Sequence, residues 1–245
     1  MRKAKTVKVK KRPLSKRAAK TGPARKSAPL RKNMRAAERE KVILDQAIRF
    51  FAEHGFGGQT RELAKRIGIT HSAIYRHFPS KEALIERVYE QVYLGGWQKH
   101  WAGLILDRSR PLEARLTQFY CEYSDRIFNF DWVRIFVFSG LKSFDINARY
   151  LKVVMETIGA PAMLEMRHEL GLAAPSQLPI TSREQELFWG LHGRIFYIAV
   201  RKFVYGTAVP EGAERHVVIA DGVHQFMLGA RQTVDDIVRQ SSSPS

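Results

Sequence analysis

The stretch RELAKRIGITHSAIYRHFPSKEAL, residues 61–84, holds two short apolar patterns separated by Gly68-Ile69-Thr70. Leu63, Ala64 and Ile67 share one face of the first pattern; Ile74 and Phe78 share one face of the second. With Ile69 between them, these side chains can form a small core that Phe50, Phe51 and Leu84 close from the flanking segments. Thr60 is placed to cap a helix over 61–67, with Glu62 in its favourable first turn, and Thr70 to cap another over 71–77. Gly68 stops the first helix, and Pro79-Ser80 separates the second from a new start at Lys81. His71, Ser72, Ala73, Tyr75, Arg76 and His77 are left facing outward. So many hydrogen-bonding and basic groups on so short a helix read either as a solvated face or as a surface for a polyanion.

Helix, glycine-containing turn and helix at this spacing is that of a helix-turn-helix, whose second helix fits the major groove of DNA. Short polar side chains at the start of that helix reach base edges. Lys81 is informative separately. A cation in the first turn of a helix faces the positive end of the dipole, at a cost of about 0.3–1 kcal/mol. With Ser80 and the free N–H groups it would instead make a phosphate cradle. The competing reading is a small structural hairpin of helices.

Outward from this segment the pattern is helical throughout. Asn33 is placed to cap a helix ending at Glu53, with Val42, Leu44, Ala47, Ile48, Phe51 and Ala52 on its apolar face. Further helices are expected at 81–95, 97–106, 112–129, 131–142, 147–171, 182–206 and 213–238, and no alternating strand segments or repeats occur. The expected fold is all-α. Its organisation is a basic arm over 1–32, a three-helix helix-turn-helix domain over 33–80, a helical domain over 81–240 and a short tail over 241–245.

The net charge of +17 belongs mostly to the arm. Residues 1–41 carry 17 Lys/Arg against Glu38 and Glu40; the remaining 204 residues hold 24 basic and 22 acidic groups. Residues 1–32 have no apolar periodicity and three prolines, so they are expected to be disordered and able to follow phosphates without sequence choice. A single cysteine, Cys121, rules out an intrachain disulfide and fits a reducing cytoplasm. No signal peptide is expected, and no apolar run approaches the roughly 20 residues a membrane span needs.

Three segments, ILDQAIRFFAEHGF, TRELAKRIGIT and AIYRHFPSKEAL, together resemble the N-terminal domain of the tetracycline-repressor (TetR-type) family of bacterial transcriptional regulators. The resemblance spans about residues 40–88. It implies a DNA-binding domain, a helical domain that binds a ligand and dimerises, and release of DNA when ligand binds. By position it implies Thr60 on a phosphate and Arg61 able to reach a base. It also implies His71, Ser72 and Ala73 at base edges, with Tyr75, His77, Lys81 and Arg76 on the backbone. Thr70 joins this set as the cap of the reading helix.

The C-terminal helices suit the second domain. Residues 182–206 are apolar on more than one face and must be buried on both sides. Leu187, Leu191, Ile195 and Ile198 on this helix, with Ile219, Val223, Phe226 and Ala230 on the last one, are the expected two-fold interface of a homodimer. A single monomeric bundle is the alternative. Residues 97–138 hold ten aromatics, most of them expected in the core. A pocket of apolar and aromatic character is expected at Trp97, Trp101, Tyr123, Trp132 and Phe136, with His192 and Arg194 as orienting groups.

Catalytic signatures are missing: there is no G-x-S-x-G, no phosphate loop and no H-E-x-x-H. The expectation is a non-enzymatic, cytoplasmic, nucleoid-associated regulator with no cofactor or metal. Its expected partners are double-stranded DNA, a second copy and an unidentified small effector, with no membrane. A nearly non-specific architectural DNA-binding protein relying on the arm is the alternative.

Overall fold

The computed structural model describes residues 35–142 and 145–242, and over these the chain is helical with no strand. The basic arm and the Asn33 cap lie outside the described residues. Helix α1 (Ala36–His54) opens with the Arg35 backbone N–H donating to the Glu38 side chain at 3.3 Å. Its buried face carries Ile43, Leu44, Ala47, Ile48, Phe50, Phe51 and Ala52. Gly55 ends it at φ +69°, where a Cβ would come 3.1 Å from the Phe138 ring. Glycine therefore both turns the chain and lets a distant helix approach.

Helices α2 (Thr60–Ile67) and α3 (His71–Tyr75) follow, joined by Gly68 in the left-handed conformation at φ +77°. Helix α4 (Lys81–Tyr89) is capped by Ser80, whose hydroxyl accepts from the Ala83 N–H at 3.1 Å, and runs on through a π-turn over Glu90–Leu94. The rest comprises α5 (His100–Leu106), α6 (Leu112–Ile127), α7 (Phe130–Leu141), α8 (Ile146–Val154), α9 (Ala160–Glu169), α10 (Ser182–Phe203) and α11 (Gly212–Ser242).

Four local expectations change. Gln59, not Thr60, is the N-cap of α2, and Thr60 is its first residue. Thr70 stands at the N-cap of α3, but its hydroxyl bonds Ser72 Oγ at 3.1 Å rather than a backbone N–H. The helix expected over 147–171 is split between α8 and α9 by a π-turn at Met155–Gly159. There α10 presses close: a Cβ on Gly159 would meet the Phe188 ring at 2.7 Å. The last helix also runs further than expected, to Ser242, leaving 243–245 outside the described residues.

One hydrophobic core runs from α1 through α11. Two buried ion pairs brace its far end. Arg167 binds Glu184 through two hydrogen bonds of 2.7 and 2.6 Å and also donates to the carbonyls of Ala173, Leu178 and Pro179. The loop between α9 and α10 is thus tied to both helices. Burial pushes the Glu184 carboxyl up, but the Arg167 and Thr181 hydrogen bonds outweigh it and hold the carboxyl below the usual range. Arg115 similarly donates to Glu165 at 3.0 Å, both side chains being almost fully buried.

Candidate nucleic-acid interface

The two short helices meet through polar groups as well as through the core. The Thr60 hydroxyl shares hydrogen bonds with His71 Nε2 at 2.9 Å and with the Tyr75 hydroxyl at 3.0 Å. The His71 and Tyr75 rings pack edge to face with centroids 4.9 Å apart. The start of α2 is therefore locked to one face of α3. Arg66 donates to Glu53 at 2.5 Å, which ties α2 to the end of α1 and holds the Glu53 carboxyl below its usual range.

Around this network the exposed groups include Gln59, Arg61, Glu62, Lys65, Thr70, Ser72 and Arg76, with His71, Tyr75 and His77 half-buried beside them. Two residues expected to touch DNA, Ala73 at a base edge and Thr60 at a phosphate, are not free to do so in this arrangement. Ala73 is only 6 % exposed, although it is not part of the hydrophobic core that Ile74 joins, so its methyl is largely covered in this arrangement. Thr60 is likewise buried, and its hydroxyl is engaged by His71 and Tyr75, so it acts here as a strut rather than as a free phosphate donor. Lys81 Nζ donates to the Gly58 carbonyl at 2.9 Å and so closes the loop between α1 and α2. That contact explains a cation at a helix start without any phosphate, although two ammonium protons remain.

This surface is rigidly connected to the larger set of helices. On α7, Arg134 donates from Nε to the Ala52 carbonyl at 2.7 Å, at the end of α1. Arg49 of α1 donates to Asp131 at 3.2 Å, and both guanidinium groups stack on Phe130 at 4.5 and 5.0 Å. Phe130, Arg134 and Phe138, spaced four apart, make the α7 face toward α1.

Trp132 and Phe136 lie about 200° round the same helix. There they wall a cavity of about 190 Å³ with Tyr150, Trp189, His192 and Phe196. Of the residues expected at a ligand pocket, Trp132, Phe136 and His192 are brought together. Trp101 and Tyr123 are instead fully buried core, and Trp97 packs edge to face on Trp101 at 5.2 Å. None of these three lines the cavity. Arg194 turns away on the outer face of α10, where it donates to Gln225 at 2.6 Å. Trp189 and Phe196 were legible at i−3 and i+4 from His192, whereas Tyr150 comes from α8, and only packing brings it there.

The expected dimer stripe is also largely corrected. Leu191, Ile195, Ile198, Ile219, Val223 and Ala230 are each 6 % exposed or less, because α10 and α11 use them to pack within one chain. Leu187 and Phe226 are half-buried. The apolar groups left outward on these helices are Tyr197, Val217 and Leu228, each more than half exposed. Gly190 and Gly229 are also exposed, and an added Cβ at each would meet nothing within 4 Å.

Among the described residues no group of three or more His, Cys, Asp and Glu stands close enough to hold a metal ion. His216 and His224 are engaged separately, by Asp125 at 2.9 Å and Glu113 at 2.8 Å. Cys121 is half-buried, and burial raises its thiol pKa. No helix among the described residues is long and apolar enough to cross a membrane.

A helix-turn-helix at the head of an all-helical chain defines the class. Residues 43–88 match the family model "Bacterial regulatory proteins, tetR family". The helix-turn-helix segment of this chain is thus similar to the N-terminal domain of that family. Among curated proteins it is 30% identical over 125 residues to the uncharacterized HTH-type transcriptional regulator YerO of Bacillus subtilis, covering 49% of this chain and 43% of that one. It is 47% identical over 49 residues to the HTH-type transcriptional repressor Rv1474c of Mycobacterium tuberculosis, covering 20% of this chain and 26% of that one. The chain thus spans less than half the length of these curated relatives.

Solved structures extend the likeness in fold. The crystal structure of Mycobacterium smegmatis AmtR superposes with a TM-score of 0.55 at 18% identity, covering 89% of this chain and all of that one. A TetR family transcriptional regulator from Pseudomonas syringae gives 0.53 at 16% identity, covering 80% and 97%.

Proposed function

We propose that this chain is a ligand-responsive transcriptional regulator, a repressor that binds a palindromic operator as a homodimer. The observation that carries the reading is the Thr60–His71–Tyr75 network beneath exposed Arg61, Ser72 and Arg76. It presents polar and cationic groups on a short helix held in fixed orientation, as reading base edges requires. Arg61, His71 and Ser72 choose the sequence; Arg76, His77 and Lys81 hold the backbone.

The second copy is supported by the outer surface of α10 and α11. Tyr197, Val217 and Leu228 leave apolar area beside glycines that allow close helix approach. A two-fold axis there would pair four helices and set two reading helices one DNA turn apart, roughly 34–36 Å. Regulation follows from α7, whose two faces touch α1 and the cavity. A ligand bound better by one spacing of the reading helices shifts the population toward it and changes operator affinity.

The test is selection of a binding site from random duplex DNA with the full chain. The selected palindrome, one half-site and a scrambled duplex are then compared by gel shift. The reading expects a specificity of about a thousandfold or more over the scrambled duplex, and clear loss on the half-site. A ratio near one would support the architectural alternative instead.

A further inference from the structure

The outer faces of α10 and α11 carry two opposite charges that their own chain leaves unmatched. Arg194 of α10 is exposed and donates to the side-chain carbonyl of Gln225 at 2.6 Å, a neutral partner. Among the described residues no carboxylate forms an ion pair with it. Asp221 of α11 stands on the side of its helix opposite the buried Ile219, Val223 and Ala230, and is exposed. It makes no hydrogen bond or ion pair among the described residues. The two groups are nevertheless neighbours. The Arg194 side chain lies across α11 at Gly222, where an added Cβ would stand 3.1 Å from its Nε. Glycine at that position lets the guanidinium cross onto α11 beside Asp221. Exposed apolar side chains border the pair: Tyr197 one turn along α10, Val217 one turn before Asp221 and Leu228 two turns after it.

We propose that Arg194 and Asp221 form a reciprocal ion pair across a two-fold axis, Arg194 of each copy meeting Asp221 of the other, and that this pair selects a second copy of the chain as the occupant of this face. This deepens the homodimer reading above and rests on it. An isologous interface needs a self-complementary patch, in which residue i meets j and j meets i. A cation and an anion side by side, each unmatched in its own chain, make such a patch. A half-turn about an axis between them brings opposite signs together twice. Two copies of a face with a single sign of charge would repel. A phosphate backbone would be drawn to Arg194 but repelled by Asp221. The apolar border adds selectivity, because a partner without matching charges would cover both groups while leaving them unpaired, which is costly.

The test is the self-association of the full chain and its variants, followed by analytical ultracentrifugation over a concentration series. Arg194→Glu makes the patch wholly negative and Asp221→Lys makes it wholly positive. Each single variant should therefore dimerise at least about tenfold more weakly than the unmodified chain. Mixed in equal amounts, the two single variants should form a heterodimer, since each now carries the sign the other lacks. The double variant, Arg194→Glu with Asp221→Lys, should dimerise within about threefold of the unmodified chain, because the signs are exchanged but still complementary. Both positions are exposed, so helix content by circular dichroism should be the same in all variants. Two results would overturn the pair and leave the homodimer reading intact. One is single variants that dimerise as tightly as the unmodified chain. The other is weakened single variants whose mixture, and whose double variant, associate no better than either alone. An unmodified chain that stays monomeric throughout would overturn both and leave this face to a different protein.

Discussion

The hydroxyl of Thr60, the first residue of α2, and Nε2 of His71, the first residue of α3, lie 2.9 Å apart across the turn. This contact sets the angle at which α3 leaves the domain, because Tyr75 one turn on joins the same hydroxyl at 3.0 Å. Thr60→Val keeps the volume and removes the hydrogen bonds. The loss should cost about 1–2 kcal/mol of stability and lower affinity for a selected operator about tenfold. Denaturant unfolding and gel shift measure the two; wild-type affinity in the variant would remove the strut role.

Arg61→Ala and His71→Ala should weaken binding to a selected operator more than to a scrambled duplex, because base contacts carry the sequence choice. Arg76→Ala should weaken both alike and reduce the slope of log K against log salt by about one. Lys81→Ala should do the same and also destabilise the fold by about 0.5–1.5 kcal/mol, since Nζ holds the Gly58 carbonyl. Salt titrations of the four variants separate these outcomes.

Two direct polar links join the cavity-lining helix to α1, Arg49 to Asp131 at 3.2 Å and, shorter, Arg134 to the Ala52 carbonyl at 2.7 Å. Arg134→Met keeps the length of the side chain and removes the donors. Allosteric couplings typically lie between about 5- and 150-fold. With a bound effector, the variant should show less than about twofold change in operator affinity while binding each partner separately as before. An undiminished effector response would place the coupling elsewhere.

His192 gives a pH signature. Its folded pKa is lowered by burial from 6.5 to about 4, so the unfolded chain takes up the proton first as pH falls. Its contribution is therefore intact above pH 6.5 and is lost between 6.5 and 4 at about 1.4 kcal/mol per pH unit, reaching about 3 kcal/mol. Comparing unfolding free energies of His192→Phe and the unmodified chain at pH 7 and 4.5 isolates this term. Equal pH slopes in the two would show that the ring is not held neutral.

Removing one half of the buried Arg167–Glu184 pair should be severe. Arg167→Leu leaves the buried Glu184 carboxylate without its counter-charge, held by Thr181 alone, and takes the Arg167 donors from the carbonyls of Leu178 and Pro179, at about 3–5 kcal/mol. Arg167→Leu with Glu184→Leu should recover a substantial part of that loss. Equilibrium unfolding of the single and double variants gives the coupling energy directly.

Much of the fold was legible in one dimension, because helices are written locally. Gly68, Ser80 and Pro79 mark boundaries through backbone preference alone, and the 3.6-residue repeat in α1 predicts its buried face. Ala73 was misplaced because a five-residue helix is too short for its repeat to distinguish a half-turn inward from a half-turn outward. The stripe of Leu191, Ile195 and Ile198 was correctly read as needing burial, but periodicity does not name the partner, and α11 of the same chain supplies it.

By itself, then, the sequence determined the all-helical class, the helix-turn-helix and the concentration of charge in the first 41 residues, since propensity, capping and composition act over a few neighbours. Tertiary structure decided which polar groups are struts and which are free, which aromatics wall a cavity and which fill the core, and that α7 faces both α1 and that cavity. Those outcomes depend on contacts such as Thr60 with His71 and Tyr150 with Trp132, whose partners are 11 and 18 positions apart. Close packing chooses among such partners, and no local pattern encodes the choice.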